Sequence, residues 1–347
     1  MKTETDLGAI TRNFHRVESA TGKPLILMVK ADAYGHGAAQ VVRATKAAYY
    51  GVATEREAIP IRETGREVLV TAPSFTALPL CRRYSMIPLI GDLDLAIRAA
   101  AIGLERCRIK VNSGMNRIGL TGEKECYLAA LLLARAGVRV EGADTHYKED
   151  SDQSVEWQNA AFRRALAAIS QGLSDGGYTG SFTTSVTGSG ALHARDFDYL
   201  RVGLAAYGYH TGYATAGLPL EPAMTVTSEI VKAKRIRAGE SLGYLSFGFI
   251  ADRPLYAYTV LGGYADGVAR SEVGRKVISA GRRLKIVAVS MDSFEMISDS
   301  VDLPIGQRVI ILSKGVDAAY IARKRGTIPY EVLVGYDTPR AERNYVY

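Results

Sequence analysis

Over its first two hundred residues the chain alternates short apolar or β-branched runs with longer segments of helical periodicity. That alternation constrains the fold more than any other feature. The strand-like runs are Leu25–Val29, Tyr49–Ala53, Glu67–Thr71, Met86–Ile90, Arg108–Asn112, Arg139–Thr145, Gly180–Val186 and Tyr199–Leu204. Between them Ala38–Ala48, Glu55–Thr64, Leu93–Ile102, Lys124–Ala136 and Ser154–Leu173 repeat their apolar residues at helical spacing. Parallel neighbours need a crossover connection, so strands alternating with helices predict a parallel sheet. Eight such units predict an α/β fold, a (β/α)8 TIM-type barrel over residues 9–212, with an open doubly wound sheet as the rival. After Gly208 the character changes. His210–Pro222, with Gly212, Gly217, Pro219 and Pro222, reads as a linker. The runs Met224–Ala233, Leu255–Val260, Lys285–Ser290, Arg308–Leu312 and Glu331–Val334 follow, with Asp317–Arg325 as a helix. Residues 213–347 are thus a C-terminal β-rich domain, with residues 1–8 as an N-terminal strand packing on it.

Composition narrows the function classes. The 43 basic and 36 acidic residues give a formal charge of +7, but they are interspersed, which argues against a nucleic-acid partner. No run of 18 apolar residues suits a membrane span. The segment Met1–Asp6 lacks the apolar region of a secretory signal, and Cys81, Cys107 and Cys126 are odd in number. These features predict a cytoplasmic protein with reduced thiols. No pair among the five histidines has zinc-site spacing, so no metal is expected.

The most informative segment is Val29-Lys30-Ala31-Asp32-Ala33-Tyr34-Gly35-His36-Gly37. An apolar strand runs straight into a lysine. At the mouth of a barrel, partial desolvation lowers such an amine's pKa towards nucleophilic use. On position alone, a solvated strand end is the alternative.

This segment resembles the pyridoxal-phosphate attachment motif of the alanine racemase family. The resemblance continues in order through Lys110-Val-Asn-Ser-Gly-Met-Asn-Arg117-Ile-Gly, Thr145-His146, Leu200-Arg201-Val-Gly203-Leu204 and Gly239-Glu-Ser-Leu-Gly-Tyr244. It extends to Gly263-Tyr264-Ala-Asp-Gly267, Val289-Ser-Met291-Asp292 and Gly326-Thr-Ile-Pro-Tyr330-Glu. It implies a pyridoxal 5'-phosphate (PLP) barrel followed by a β-domain that completes the partner's active site in a homodimer.

The resemblance also implies roles. Lys30 would carry PLP and exchange a proton on one face of the substrate, and Tyr244 of a second subunit would do so on the other, tuned through His146 and Arg201. Arg201 would face the pyridine nitrogen and, unable to surrender its charge, keep that nitrogen unprotonated. Ser189, the amides of Gly203 and Leu204, and the hydroxyls of Tyr34 and Tyr336 would hold the phosphate. Arg117 would contact the phenolic oxygen and the substrate carboxylate. Tyr264, Met291 and Asp292 would border the substrate. Lys110 matches a position carbamylated in some members; its alternative is a plain lysine paired with a carboxylate. Asn112 stands where Asp is usual, Asn116 where Gly is common, and Gly188 where Asn is usual.

The expected function is interconversion of L- and D-alanine, a D-amino acid cell-wall precursor being the product. A serine or broad-specificity racemase is the alternative, with the bulk of Tyr336 favouring alanine. A PLP-dependent decarboxylase would want an acid where Arg201 stands. A non-enzymatic PLP-binding barrel would need neither a β-domain nor Tyr244.

Overall fold

The computed structural model describes residues 1–347 apart from 150, 189–195, 211–214, 216 and 245–247. From the N-terminus come β1 (Lys2–Asp6), α1 (Leu7–Thr21), β2 (Leu25–Met28), α2 (Lys30–Gly35), α3 (Ala38–Ala44) and β3 (Tyr49–Val52). Next are α4 (Glu55–Arg62), β4 (Val68–Val70), α5 (Leu78–Arg83), β5 (Ile87–Ile90), α6 (Leu93–Ala101) and β6 (Arg106–Val111). Then follow α7 (Gly122–Arg135), β7 (Arg139–His146), α8 (Asp152–Asp175), β8 (Thr183–Thr187) and β9 (Tyr199–Val202). Strands β2 to β9 close in chain order into a parallel barrel, with Ile26 of β2 opposite Arg201 of β9. All eight expected strands are present, and closure excludes the open sheet.

The remaining elements are β10 (Met224–Ile236), β11 (Ser241–Leu242), β12 (Phe249–Ile250), β13 (Leu255–Leu261), β14 (Lys276–Ser279), β15 (Arg282–Val289), β16 (Ser293–Ser298) and β17 (Arg308–Leu312). Two helices, α9 (Ala318–Arg325) and α10 (Pro329–Gly335), precede β18 (Glu342–Val346). An eight-stranded sheet runs β13-β16-β15-β14-β17-β10-β1-β18. In it β1 pairs antiparallel with β10 and parallel with β18. One expectation is overturned: Glu331–Val334 is not a strand but lies in α10. Pro329 occupies the first turn after Ile328, where its missing N–H costs nothing, and Val332 and Leu333 are buried from one side of the turn. A four-residue apolar run cannot by itself distinguish strand from helix.

The described residues fall into two compact units. One holds Thr11–Ala33 and Ala38–Leu220, the other Met1–Ile10, Tyr34–Gly37 and Glu221–Tyr347. The chain therefore passes into the second unit for the four residues after Ala33. Among the described residues no helix is long and apolar enough to cross a membrane.

The barrel's filling is of two kinds. Ile26, Leu69, Ile87 and Leu89, from β2, β4 and β5, form one buried apolar cluster edged by Tyr49 and Tyr199. These two rings meet edge-on at 5.5 Å. On β6 and β7 the two-residue strand period instead directs ionisable side chains to a common face, Arg108 and Lys110 from one strand and Asp144 and His146 from the other. Gly142, paired with Arg108, makes room for that guanidinium. A Cβ at Gly142 would lie 2.2 Å from the Thr183 carbonyl oxygen and 2.4 Å from Arg108 Cζ. Gly142→Ala is therefore expected to destabilise the protein by about 1–3 kcal/mol, the usual cost of overpacking. A lower urea midpoint at unchanged slope would show it; an unchanged midpoint would contradict it.

Candidate active site

Lys30 is separated from the buried strand β2 by the single buried residue Val29. Its neighbour Ala31 is fixed by Glu57, the third residue of α4. Glu57 Oε1 accepts from the Ala31 N–H at 3.0 Å, and Oε2 accepts from Ala53 at 2.8 Å and Thr54 at 3.1 Å. The same carboxylate completes the capping box at the start of α4. One acid thus ties the end of β2 to the end of β3.

After Lys30 the backbone turns the wrong way. Ala31, Asp32, Ala33 and Tyr34 have φ of 49°, 48°, 57° and 55°, one turn of left-handed helix. That conformation costs L-residues roughly 1–2 kcal/mol each, so surrounding structure must hold it. Part of the hold is Asp32, whose Oδ1 accepts from the Ala38 N–H at 2.7 Å.

Deeper in the barrel, Asp144 is fully buried and lies between two guanidiniums. Arg108 Nε donates to its Oδ2 at 2.6 Å, Arg201 Nη1 stands 3.5 Å from its Oδ1, and the Ser185 hydroxyl also donates to Oδ1. Burial alone would raise the Asp144 carboxyl, but Arg108, Arg201 and Ser185 outweigh it and hold it below the usual range. Arg201 Nη2 donates to the Thr145 carbonyl at 2.6 Å, whereas its buried Nε has no hydrogen-bond partner among the described residues. Burial pulls this guanidinium below its ordinary value, with Asp144 opposing and Arg108 adding to the effect.

Burial, together with the neighbouring cations, lowers the other bases of this interior. Burial, then Arg117 and Arg201, lower the Lys30 amine, while Glu57 acts against them. Lys110, which is buried, falls well below its normal value through desolvation and Arg201, against the pull of Asp144. His146 is pushed down to about 3 by burial, Lys110 and Arg201.

Arg117 lies on an exposed turn closed by the two asparagines that depart from the resembled pattern. Asn112 Oδ1 accepts from the N–H groups of Gly114 at 3.1 Å and Asn116 at 2.9 Å, and its amide donates to Asn116 Oδ1 at 2.8 Å. The two departures pair with each other. Trp157 covers the turn, leaving no space for a side chain at Gly114.

Lys30, Lys110, Arg117, His146 and Arg201 thus gather in the barrel unit, with Gly203 and Leu204 opening a short 3-10 turn immediately after β9. The first N–H groups of such a turn lack intrahelical acceptors. Ser189 lies outside the described residues. The other expected residues belong to the second unit. There Tyr34 is buried, its ring 5.7 Å from Tyr330, and burial raises its hydroxyl so that it remains a donor. Tyr336 is also buried, its hydroxyl 3.4 Å from Arg325 Nη2, and burial with nearby Glu272 pushes it up to about 12. Tyr244 is 73% exposed, Met291 53% and Tyr264 46%. Asp292 accepts from Arg340 at 2.7 Å. Sequence reasoning missed Arg108, Asp144 and Ser185. Their only local signal is ionisable or polar side chains recurring every second residue in strands that ought to be apolar.

Two family models match the chain in turn, meeting close to the junction at residues 220–221. Residues 5–211 match the model described as "Alanine racemase, N-terminal domain", and residues 223–345 match "Alanine racemase, C-terminal domain". The alanine racemase of Streptococcus pyogenes serotype M12 is 33% identical over 94% of this chain and 93% of its own length. That of Thermodesulfovibrio yellowstonii is 29% identical over 100% and 98%. Among solved structures, the Enterococcus enzyme titled alanine racemase from E.faecalis superposes with TM-score 0.87 at 28% identity, covering 99% of this chain and 97% of that one. A Bartonella henselae alanine racemase solved with covalently bound pyridoxal phosphate shares the fold, with TM-score 0.88, 23% identity and 99% coverage of both chains.

The neutral His146 gives a testable pH effect. Its folded value is about 3 against an ordinary 6.5, so the unfolded chain takes up a proton that the folded one refuses. Stability is then undiminished above pH 6.5 and falls as pH drops from there towards 3. His146→Gln is expected to flatten the fall in thermal midpoint across that window; an unaltered slope would place the titration elsewhere.

Proposed function

Because the chain belongs to the alanine racemase family, we propose that it interconverts L- and D-alanine with PLP by a two-base mechanism completed in a cytoplasmic homodimer. The observation that carries this reading is the buried Arg201 Nε, a donor with no partner among the described residues. An orphaned buried donor is costly unless a ligand supplies the acceptor. The pyridine nitrogen of PLP is such an acceptor, and a half-buried lysine with a lowered pKa in the same unit suits its aldehyde. The residues fit the group.

When bound, PLP withdraws electrons from the substrate Cα and so weakens its C–H bond. Lys30 holds the cofactor and moves the Cα proton on one face. Its lowered pKa leaves more of the amine able to accept that proton near neutrality. Arg201 keeps its charge and denies the ring nitrogen a proton, which limits side reactions. Arg117 orients the substrate carboxylate and the phenolic oxygen. Ser189 and the amides of Gly203 and Leu204 would bind the phosphate. Lys110, a buried amine lowered well below its normal value, suits capture of CO2 as a carbamate.

Tyr244 of a second chain is the base on the opposite face, with Tyr264, Met291 and Asp292 beside it. Three of these four side chains are large, apolar or aromatic and exposed, which supports burial against another copy. An isologous dimer supplies two equal composite sites. No nucleic acid or membrane takes part. Alanine is preferred to serine, although one small substituent discriminates by only ~1–3 kcal/mol.

Incubation with PLP and L-alanine in heavy water tests the activity: optical rotation should vanish as deuterium enters at Cα. Racemisation without exchange, or deuteration without racemisation, would contradict two-base proton transfer. Mixing a Lys30→Ala chain with a Tyr244→Phe chain tests the shared site. After full random exchange, hybrids are half of the dimers and each has one intact site in two, so about a quarter of wild-type activity should return. No recovery despite demonstrated exchange would put both bases on one chain.

A further inference from the structure

We propose that Arg108, Asp144 and Ser185 form a positioning device for Arg201, one that fixes which guanidinium nitrogen faces the cofactor ring. The inference rests on the proposed role of Arg201. A guanidinium can present Nε or either Nη to an acceptor, and only its anchoring decides which. Here Nη2 is committed to the Thr145 carbonyl at 2.6 Å, and Nη1 faces Asp144 Oδ1 at 3.5 Å. Both ends are taken, and Nε is left for a ligand.

The anchor is itself anchored. Asp144 Oδ2 receives Arg108 Nε at 2.6 Å, and the Ser185 hydroxyl, from the next strand, donates to Oδ1. Arg108 in turn donates to Thr183 Oγ1 at 2.8 Å, the Thr183 carbonyl at 3.1 Å and the Glu141 carbonyl at 3.3 Å. The relay spans β6, β7 and β8 and ends on β9.

Barrel filling alone does not call for these ions. The half of the barrel made by β2 to β5 is filled by the apolar Ile26, Leu69, Ile87 and Leu89. A buried ion pair is often no more stabilising than apolar side chains of similar volume. The ionic arrangement coincides instead with the one strand that carries Arg201. Among the described residues, its carboxylate is the counter-charge paired with that guanidinium.

The test separates positioning from packing. Asp144→Asn strands Arg108 and Arg201 as buried cations and lowers the thermal midpoint, whereas Arg108→Met combined with Asp144→Asn removes one of those two cations and should regain part of that loss. Two further readouts are taken on each protein. One is the apparent Kd for PLP, followed by quenching of Trp157, the single tryptophan. The other is pyruvate formed per racemisation, from the side reaction in which alanine leaves as pyruvate and its amino group stays on the cofactor as pyridoxamine phosphate. An Arg201 that swings away no longer keeps a proton off the ring nitrogen, which favours that side reaction.

The double variant is expected to recover part of the stability lost by Asp144→Asn yet bind PLP about tenfold more weakly, the scale of loss when a partner behind a liganding group is removed. Pyruvate per racemisation should rise by a similar factor. Ser185→Ala should shift both readouts the same way by less, and it decides the matter if the Asp144 variants do not fold. Wild-type Kd and wild-type pyruvate ratio in a folded double variant, or in Ser185→Ala when that variant decides, would overturn the inference. A wild-type protein that neither binds PLP nor racemises alanine would instead overturn the proposed function, leaving the two failures distinct.

Discussion

Asp144 is one carboxylate between two guanidiniums, removed from water, and much of the barrel's electrostatics follows from that ratio. The ion chain runs across four consecutive, directly paired strands of the barrel: Arg108 on β6, Asp144 on β7, Ser185 on β8 and Arg201 on β9. Two cations against one anion leave a net positive interior, and burial together with that field lowers Lys110 and His146 while the two guanidiniums hold the Asp144 carboxyl below its usual range. Removing one member of such a cluster strands another, commonly at a cost of about 3–5 kcal/mol. The arrangement is therefore a commitment: the barrel can be filled this way only while all its members are present.

The lysine end of the site has a separate support. Glu57 caps α4, ties two adjacent strand ends and accepts from the backbone immediately after Lys30. It also acts on the amine charge in the sense opposite to Arg117 and Arg201. Position and protonation of Lys30 are thus coupled through one acid side chain. In the second unit, Glu272 plays the comparable structural part. It pairs with Arg275 and Arg325, and Arg325 in turn stacks over Tyr336 at 5.6 Å.

The barrel was legible because its strands are short apolar or β-branched runs, interrupted by charged residues on β6, β7 and β9, and because parallel neighbours impose the intervening helices. Leu78–Arg83 escaped notice because a six-residue helix with Pro79 in its first turn shows too little periodicity. Glu331–Val334 misled because β-branched residues in a run of four fit either state. The ordered motifs picked out Lys30, Arg117, His146 and Arg201, which the fold brings into one unit. The relay behind Arg201 was not legible: Arg108, Asp144 and Ser185 are far apart in sequence, and strand alternation reports which side a residue faces but not whom it meets. Nor does Ala31-Asp32-Ala33-Tyr34 announce its handedness, since nothing in those residue types asks for positive φ.

That left-handed turn bears on the order in which the protein is assembled. An unfolded chain of these residues visits the right-handed and extended regions far more often, so the turn has no local stability with which to nucleate. It forms only once its flanks are fixed, Lys30 by the end of β2 and the residues beyond Ala33 by the other unit. Placement of the lysine thus draws on both units: the barrel supplies the strand before it, and the last residue of the turn after it, Tyr34, is packed with residues 221–347.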